Sequence, residues 1–240
     1  MMEKIIAAIL FRINGRRLFW MQIYAYLYAK KNTPSLLKAY KEIKKLGASG
    51  SSHQPNKGYH LWKLLLKFKP RKIIELGSGT TSAVFKIYAR EYGASYVAFE
   101  HSEHWGEITN SSLRSSNLLE DNEEPPVLIK ESYILPDGTG SAFTEPVPAD
   151  SDFIYIDGPP CPVIDGVKKP NFDIAQHFDR GNLPKVIVVD GRHETVDLIR
   201  NHPKSHHYHF EFDFVYSIRM KDFLHALHFY RHTVIWLKNE

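Results

Sequence analysis

From Lys72 onward, short apolar runs alternate with segments of helical spacing, and few architectures accommodate that rhythm. The runs are KIIELG, SYVAFE, PVLIKE, DFIYID and KVIVVD, each followed by turn-forming residues. Runs this short and this uniformly apolar suit strands buried on both faces. Between the first two, TTSAVFKIYAREYG carries apolar residues at Ala83, Val84, Ile87 and Tyr88, the spacing of a helix with one buried side. Further helices are expected from Trp105 to Leu119, Phe172 to Arg180 and Thr195 to Asn201. This alternation predicts a parallel sheet with helices on both faces.

The end of the chain follows another rule. HYHFEFDFVYSIRM and HFYRHTVIWLK both alternate at period two and are joined by a short helix-prone link. They predict an antiparallel pair that closes one edge of the sheet. The expected body is therefore α/β and Rossmann-like, with seven strands, mostly parallel and reversed at the last.

The first part of the chain lies outside this pattern. Thr33-Pro34-Ser35 reads as a helix start, a helix over LLKAYKEIKKL is expected to follow, and the Gly47–Ser52 stretch reads as a flexible break. A further helix is expected from Gly58 to Phe68, before Pro70. We divide the chain into a basic helical extension, 1–50, and a main domain, 51–240. Residues 1–72 hold 16 Lys and Arg against 2 acids, a net +14, whereas residues 73–240 hold 15 against 25, a net −10. A basic arm on an acidic body suits an anionic partner for residues 1–72, either a membrane surface or nucleic acid. A solvated helical face is the plainer reading of the same charge.

The opening MMEKIIAAILF resembles a signal h-region, but Arg12, Arg16 and Arg17 follow at once, without a small-residue cleavage site. The apolar run from Leu18 to Ala29 is 12 residues long, where a membrane span needs about 20. It suits either the plane of a bilayer interface or packing against the body. Cys161 is the single cysteine, which excludes an internal disulfide framework and fits a reducing compartment. The expected location is the cytoplasm, with peripheral membrane attachment as the alternative.

The loop after the first strand reads Glu75-Leu76-Gly77-Ser78-Gly79-Thr80-Thr81-Ser82 and opens the first helix of the body. Its glycines allow a tight turn and let a ligand approach bare backbone, and the helix N-terminus beyond offers free N–H groups. Glu100 ends SYVAFE some 20 residues later, where a carboxylate can accept hydrogen bonds from both ribose hydroxyls.

Together IIELGSGTTSAVF, VAFEHS, FIYIDGPP and VIVVDG, in this order, resemble the motifs of the class I S-adenosylmethionine-dependent methyltransferases. The resemblance covers about residues 59–240. It implies that Glu75, Gly77, Ser78, Gly79 and Thr80 line the methionine end of S-adenosyl-L-methionine, and that Glu100 holds the ribose with His101 beside the adenosine. Ser132, at the end of the third strand, falls where adenine contacts arise. A nicotinamide cofactor fits less well. Ser82 stands where the dinucleotide fingerprint has its third glycine, and Glu75 would sit poorly near a pyrophosphate.

Asp157 ends the fourth strand, before Gly158-Pro159-Pro160, and Asp190 ends the fifth. Tips of adjacent strands face the ligand crevice of an open parallel sheet, so these acids should share a rim with Glu75 and Glu100. Asp157 is expected to border the cofactor and to orient an acceptor, with Asp190 or His193 assisting proton removal. Some small-molecule O-methyltransferases of this fold hold a divalent cation with an Asp after the fourth strand and an Asp-Asn pair after the fifth. Asp157 and Asp190 match the acids but Gly191 replaces the Asn, so a metal is not the favoured reading. HHYHF is expected to put His207 and His209 on one face of a strand, without a recognisable metal spacing. Cys161 reads as a packed loop residue. The expected function is methylation of a hydroxyl on a small molecule or saccharide. The alternatives are a non-catalytic binding or scaffold module, or a nucleic-acid methyltransferase that uses the basic arm.

Overall fold

The computed structural model describes residues 55–218 and 227–238, with residues 27, 30, 31 and 34 in helical conformation. But for those four positions, the expectations for the extension fall outside the described residues: the run at 18–29, the helix at 36–46 and the break at 47–52. So does the link between the last two strands. Among the described residues no helix is long and apolar enough to cross a membrane.

The elements follow the alternation read from the sequence. Helix α1 (Pro55–Phe68) leads into β1 (Lys72–Leu76), α2 (Thr80–Tyr92), β2 (Ser95–Glu100), α3 (Glu103–Ser115) and β3 (Val127–Ile129). Then come β4 (Ser132–Ile134), β5 (Ser141–Phe143), β6 (Phe153–Ile156), β7 (Val163–Ile164), β8 (Val167–Lys168), α4 (Asp173–Asp179) and β9 (Val186–Asp190). Helix α5 (His193–Asn201), a 3-10 turn (Pro203–His207), β10 (Tyr208–Ile218) and β11 (Leu227–Leu237) complete the elements of the described residues. The seven-stranded sheet runs β10-β11-β9-β6-β1-β2-β3. β3, β2, β1, β6 and β9 are mutually parallel, and β11 runs antiparallel to both β9 and β10. Chain order reverses direction between β1 and β6, which makes a switch point at their C-terminal tips.

Period-two alternation sorts the central strands into two cores. Ile73, Tyr96, Ala98, Phe153, Tyr155, Val186 and Val188 face one side, under α1 and α2 with Leu61, Leu65, Phe85 and Tyr88. Ile74, Leu76, Phe99, Ile154, Ile156, Ile187 and Val189 face the other, under α4 and α5 with Ile174, Phe178, Val196 and Ile199. Full burial of each large apolar side chain contributes roughly 1.5–3 kcal/mol. A one-residue slip in any strand would exchange its two faces, so the register is firmly set.

The sequence misplaced some details. Ser132 does not end the third strand of the sheet. It opens β4, which pairs with β5 in a separate hairpin, and β7 and β8 form another. His207 lies in the 3-10 turn, not on the strand, with its ring 3.8 Å from that of His206.

Candidate active site at the strand tips

The same alternation decides where the acids point. Glu75 follows Ile73, Glu100 follows Ala98, Asp157 follows Tyr155 and Asp190 follows Val188, each by two residues on the α1–α2 side of the sheet. The structure brings all four to that side, though in different surroundings.

Glu75 is fully buried beneath the glycine loop. Thr81 and Tyr96 donate hydroxyl hydrogen bonds to it, and Ser82 Oγ donates at 2.7 Å. Ser82 Oγ in turn accepts from the Gly79 N–H at 3.1 Å. The carboxyl thus fastens the loop to the start of α2 from below. Burial pushes its pKa up to about 7 against the opposing pull of these hydrogen bonds.

Above it, Gly77 has φ +91° and donates to Phe99 O at 2.8 Å. A Cβ on Gly77 would lie 2.8 Å from the Asp157 carbonyl carbon, so two loops meet here backbone to backbone. Gly79 differs: a Cβ there would meet nothing within 4 Å. The loop is closed behind and open in front, a cradle with free space over Gly79. Ser78 and Thr80 flank that space, both half-buried.

Glu100 reaches across to this loop. Its Oε2 accepts from the Ser78 N–H at 2.8 Å and from Ser78 Oγ at 3.1 Å. Its Oε1 accepts from the Ser102 N–H at 2.8 Å and lies 2.9 Å from His101 Nδ1. Beside it, Ile129 packs over Gly106 and is 47% exposed, an apolar wall that sequence reasoning missed.

At the tips of β6 and β9 stands a residue that sequence reasoning also missed. Lys57, in the first turn of α1, bonds Asp190 Oδ2 and lies 3.4 Å from Asp157 Oδ2. Its Nζ sits 5.5 Å from the centre of the Tyr155 ring, whose hydroxyl donates to Asp190 at 3.1 Å. Burial acts against the ammonium charge, but Asp190 and Asp157 outweigh it and raise the pKa above the ordinary lysine range. The one available signal was a cation in a first turn, where the helix dipole favours acids.

Arg192 holds the other side of Asp157. It donates to Pro159 O at 2.8 Å, Asn171 Oδ1 at 3.0 Å and Cys161 Sγ at 3.1 Å, and it also bonds the Asp157 carbonyl. Cys161 is thereby packed in the loop. Asp157 keeps 42% of its side chain exposed, whereas Asp190 keeps 4%. His193 opens α5 and is exposed, and Ser132 is exposed on its hairpin.

No protein-family model matches the chain, and no curated protein is detectably similar to it in sequence. Solved structures are similar to it in fold. A Bacillus cereus O-methyltransferase in complex with S-adenosylhomocysteine superposes with a TM-score of 0.56 at 16% identity, over 91% of this chain and 99% of its own. The O-methyltransferase TomG of Streptomyces achromogenes, involved in tomaymycin synthesis and solved with S-adenosylmethionine, gives 0.53 at 16%, over 90% and 95%. The chain has the class I methyltransferase fold. A Klebsiella pneumoniae protein ascribed to the O-methyltransferases gives 0.58 at 14%, over 92% and 99%. In this class I fold the glycine loop, Glu100 and the Asp157–Asp190 pair all lie at the C-terminal rim of the parallel strands.

Proposed function

We propose that the chain is an S-adenosylmethionine-dependent methyltransferase acting on a hydroxyl of a small molecule or saccharide. One observation carries this: the Glu100 carboxylate faces the Ser78 end of a loop whose front, over Gly79, is open. The residues fit the cofactor. Ribose hydroxyls would replace the Ser78 hydroxyl and His101 on Glu100, while the Ser78 and Ser102 N–H groups keep it oriented. Ile129 supplies an apolar face for adenine. Ser132 belongs to the same proposed adenine end.

The cofactor supplies a methyl group on a sulfonium, and the chain's own residues must align the acceptor and move its proton. Asp157, the exposed acid of the pair, orients the acceptor hydroxyl. Of the two groups proposed to assist proton removal, His193 has the exposure an incoming acceptor requires, while Asp190 acts from behind Lys57. The O-methyltransferase neighbours support a small-molecule acceptor.

Calorimetry with S-adenosylmethionine and S-adenosylhomocysteine tests the reading. The wild type should bind both, Gly77→Arg neither and Glu100→Ala weakly. No binding by the wild type overturns it. Binding without transfer of a labelled methyl group to any phenol, catechol or sugar in a panel favours the scaffold alternative.

The +14 balance of residues 1–72 supports an anionic partner for the arm. Titration with anionic vesicles and with RNA, each at rising salt, separates a membrane surface from a nucleic-acid substrate.

A further inference from the structure

Lys57 is an expensive residue to place where it stands. Its side chain is 13% exposed, its ammonium opposes the dipole at the start of α1, and a buried cation is tolerated only when closely paired. Two carboxylates from adjacent strand tips provide the pairing, Asp190 Oδ2 in direct hydrogen bond and Asp157 Oδ2 at 3.4 Å. The Tyr155 ring and hydroxyl complete the walls. Arg192 lies 3.5 Å from the other oxygen of Asp157.

Two carboxylates directed at one point are a natural binding site for a divalent cation, which would add waters and ligand oxygens to them. Here that point is filled. Among the described residues the two negative charges are balanced by one lysine and one arginine, which leaves no net charge to attract a dication, and the Lys57 ammonium already stands against the oxygens one would bind.

We infer that Lys57 is a resident cation. Its ammonium takes the place a divalent ion would hold between Asp157 and Asp190, and it fixes the two acids at the acceptor end of the crevice. Lys57 is on this account a positioning residue: it holds Asp157 with one oxygen toward Arg192 and its exposed edge toward the acceptor. The role assigned to the acceptor end rests on the methyltransferase reading. The cation replacement itself does not.

The test uses Mn²⁺ as probe, followed by the electron paramagnetic resonance signal of the free ion, on the whole 240-residue chain. The wild type should leave Mn²⁺ free. Lys57→Ala, with one net negative charge and an emptied position, should bind one equivalent about tenfold or more tightly than the wild type. Adding Asp190→Asn to Lys57→Ala should abolish that binding. Tight binding by the wild type that Asp190→Asn removes, or equal binding by wild type and Lys57→Ala, overturns the inference. If circular dichroism shows Lys57→Ala unfolded, Lys57→Met keeps the apolar stem and is read against the same outcomes. Calorimetry with S-adenosylhomocysteine on the same samples reports separately on the methyltransferase reading.

Discussion

A Cβ built on Gly158 would lie 2.6 Å from the Cα of Gly77, closer than real Cβ atoms come. The two glycines sit at the tips of β1 and β6, where chain order reverses. Asp157 N also donates to Leu76 O at 2.7 Å, so the pairing of the strands continues into the loops. The crevice floor at this point is backbone against backbone.

Gly158→Ala should therefore lower stability by about 2 kcal/mol or more, because neither backbone can yield without disturbing the other. Gly79→Ala meets open space and should leave the urea midpoint nearly unchanged while weakening S-adenosylhomocysteine binding. Equal effects of the two on stability would contradict this geometry.

Glu100→Gln keeps the shape of the side chain but removes its charge and one acceptor oxygen. Hydrogen bonds to charged groups contribute about 1.5–3 kcal/mol. Affinity for S-adenosylhomocysteine should fall on the order of 10- to 100-fold by calorimetry. An unchanged affinity would remove Glu100 from the ribose site.

Asp173 is buried in the first turn of α4, where its Oδ1 accepts from the Phe143 N–H at 3.0 Å. Burial pushes its pKa from 3.8 to about 7, and that of Glu75 from 4.5 to about 7. Between those limits the folded chain binds more protons than the unfolded one, so this stability is present at low pH and lost as pH rises through 7. His177, held down to about 4 by burial, works the opposite way below pH 6.5. The difference between Asp173→Asn and wild type isolates the Asp173 contribution. On going from pH 4 to pH 8 the wild type should lose on the order of 3 kcal/mol that the variant does not, measured by urea unfolding.

Arg192→Ala should open the loop at 157–161, since one guanidinium holds the carbonyls of Asp157 and Pro159 together with Asn171. A loss on the order of 3 kcal/mol is expected from breaking a largely buried charged network, with a raised acceptor KM once an acceptor is known. Arg192→Lys keeps the charge but not the forked geometry, so its unfolding midpoint should stay nearer to that of Arg192→Ala than to wild type.

The body was legible because its strands are short, apolar and separated by helices of clear period. The positions of Glu75, Glu100, Asp157 and Asp190 followed from strand tips, and period two then placed them on one side. What alternation could not show was the surroundings of each acid, for Glu75 and Glu100 are both buried. Glu75 and Glu100 look equivalent in sequence, yet one lies fastened under the loop and the other beside its open front. Lys57 was hidden for another reason: it is one of 16 cations in a basic stretch and meets Asp157 across 100 residues. The β4–β5 and β7–β8 hairpins escaped notice because strands of two or three residues have no period to detect.

The placement of β11 between β9 and β10 has a bearing on biosynthesis. During translation the Val186–Asp190 edge emerges well before its neighbour, and β10 can join the sheet only through the segment made after it. A nascent chain therefore carries an uncapped parallel edge until residues 227–237 leave the ribosome, the interval in which strand edges are prone to pair with other chains.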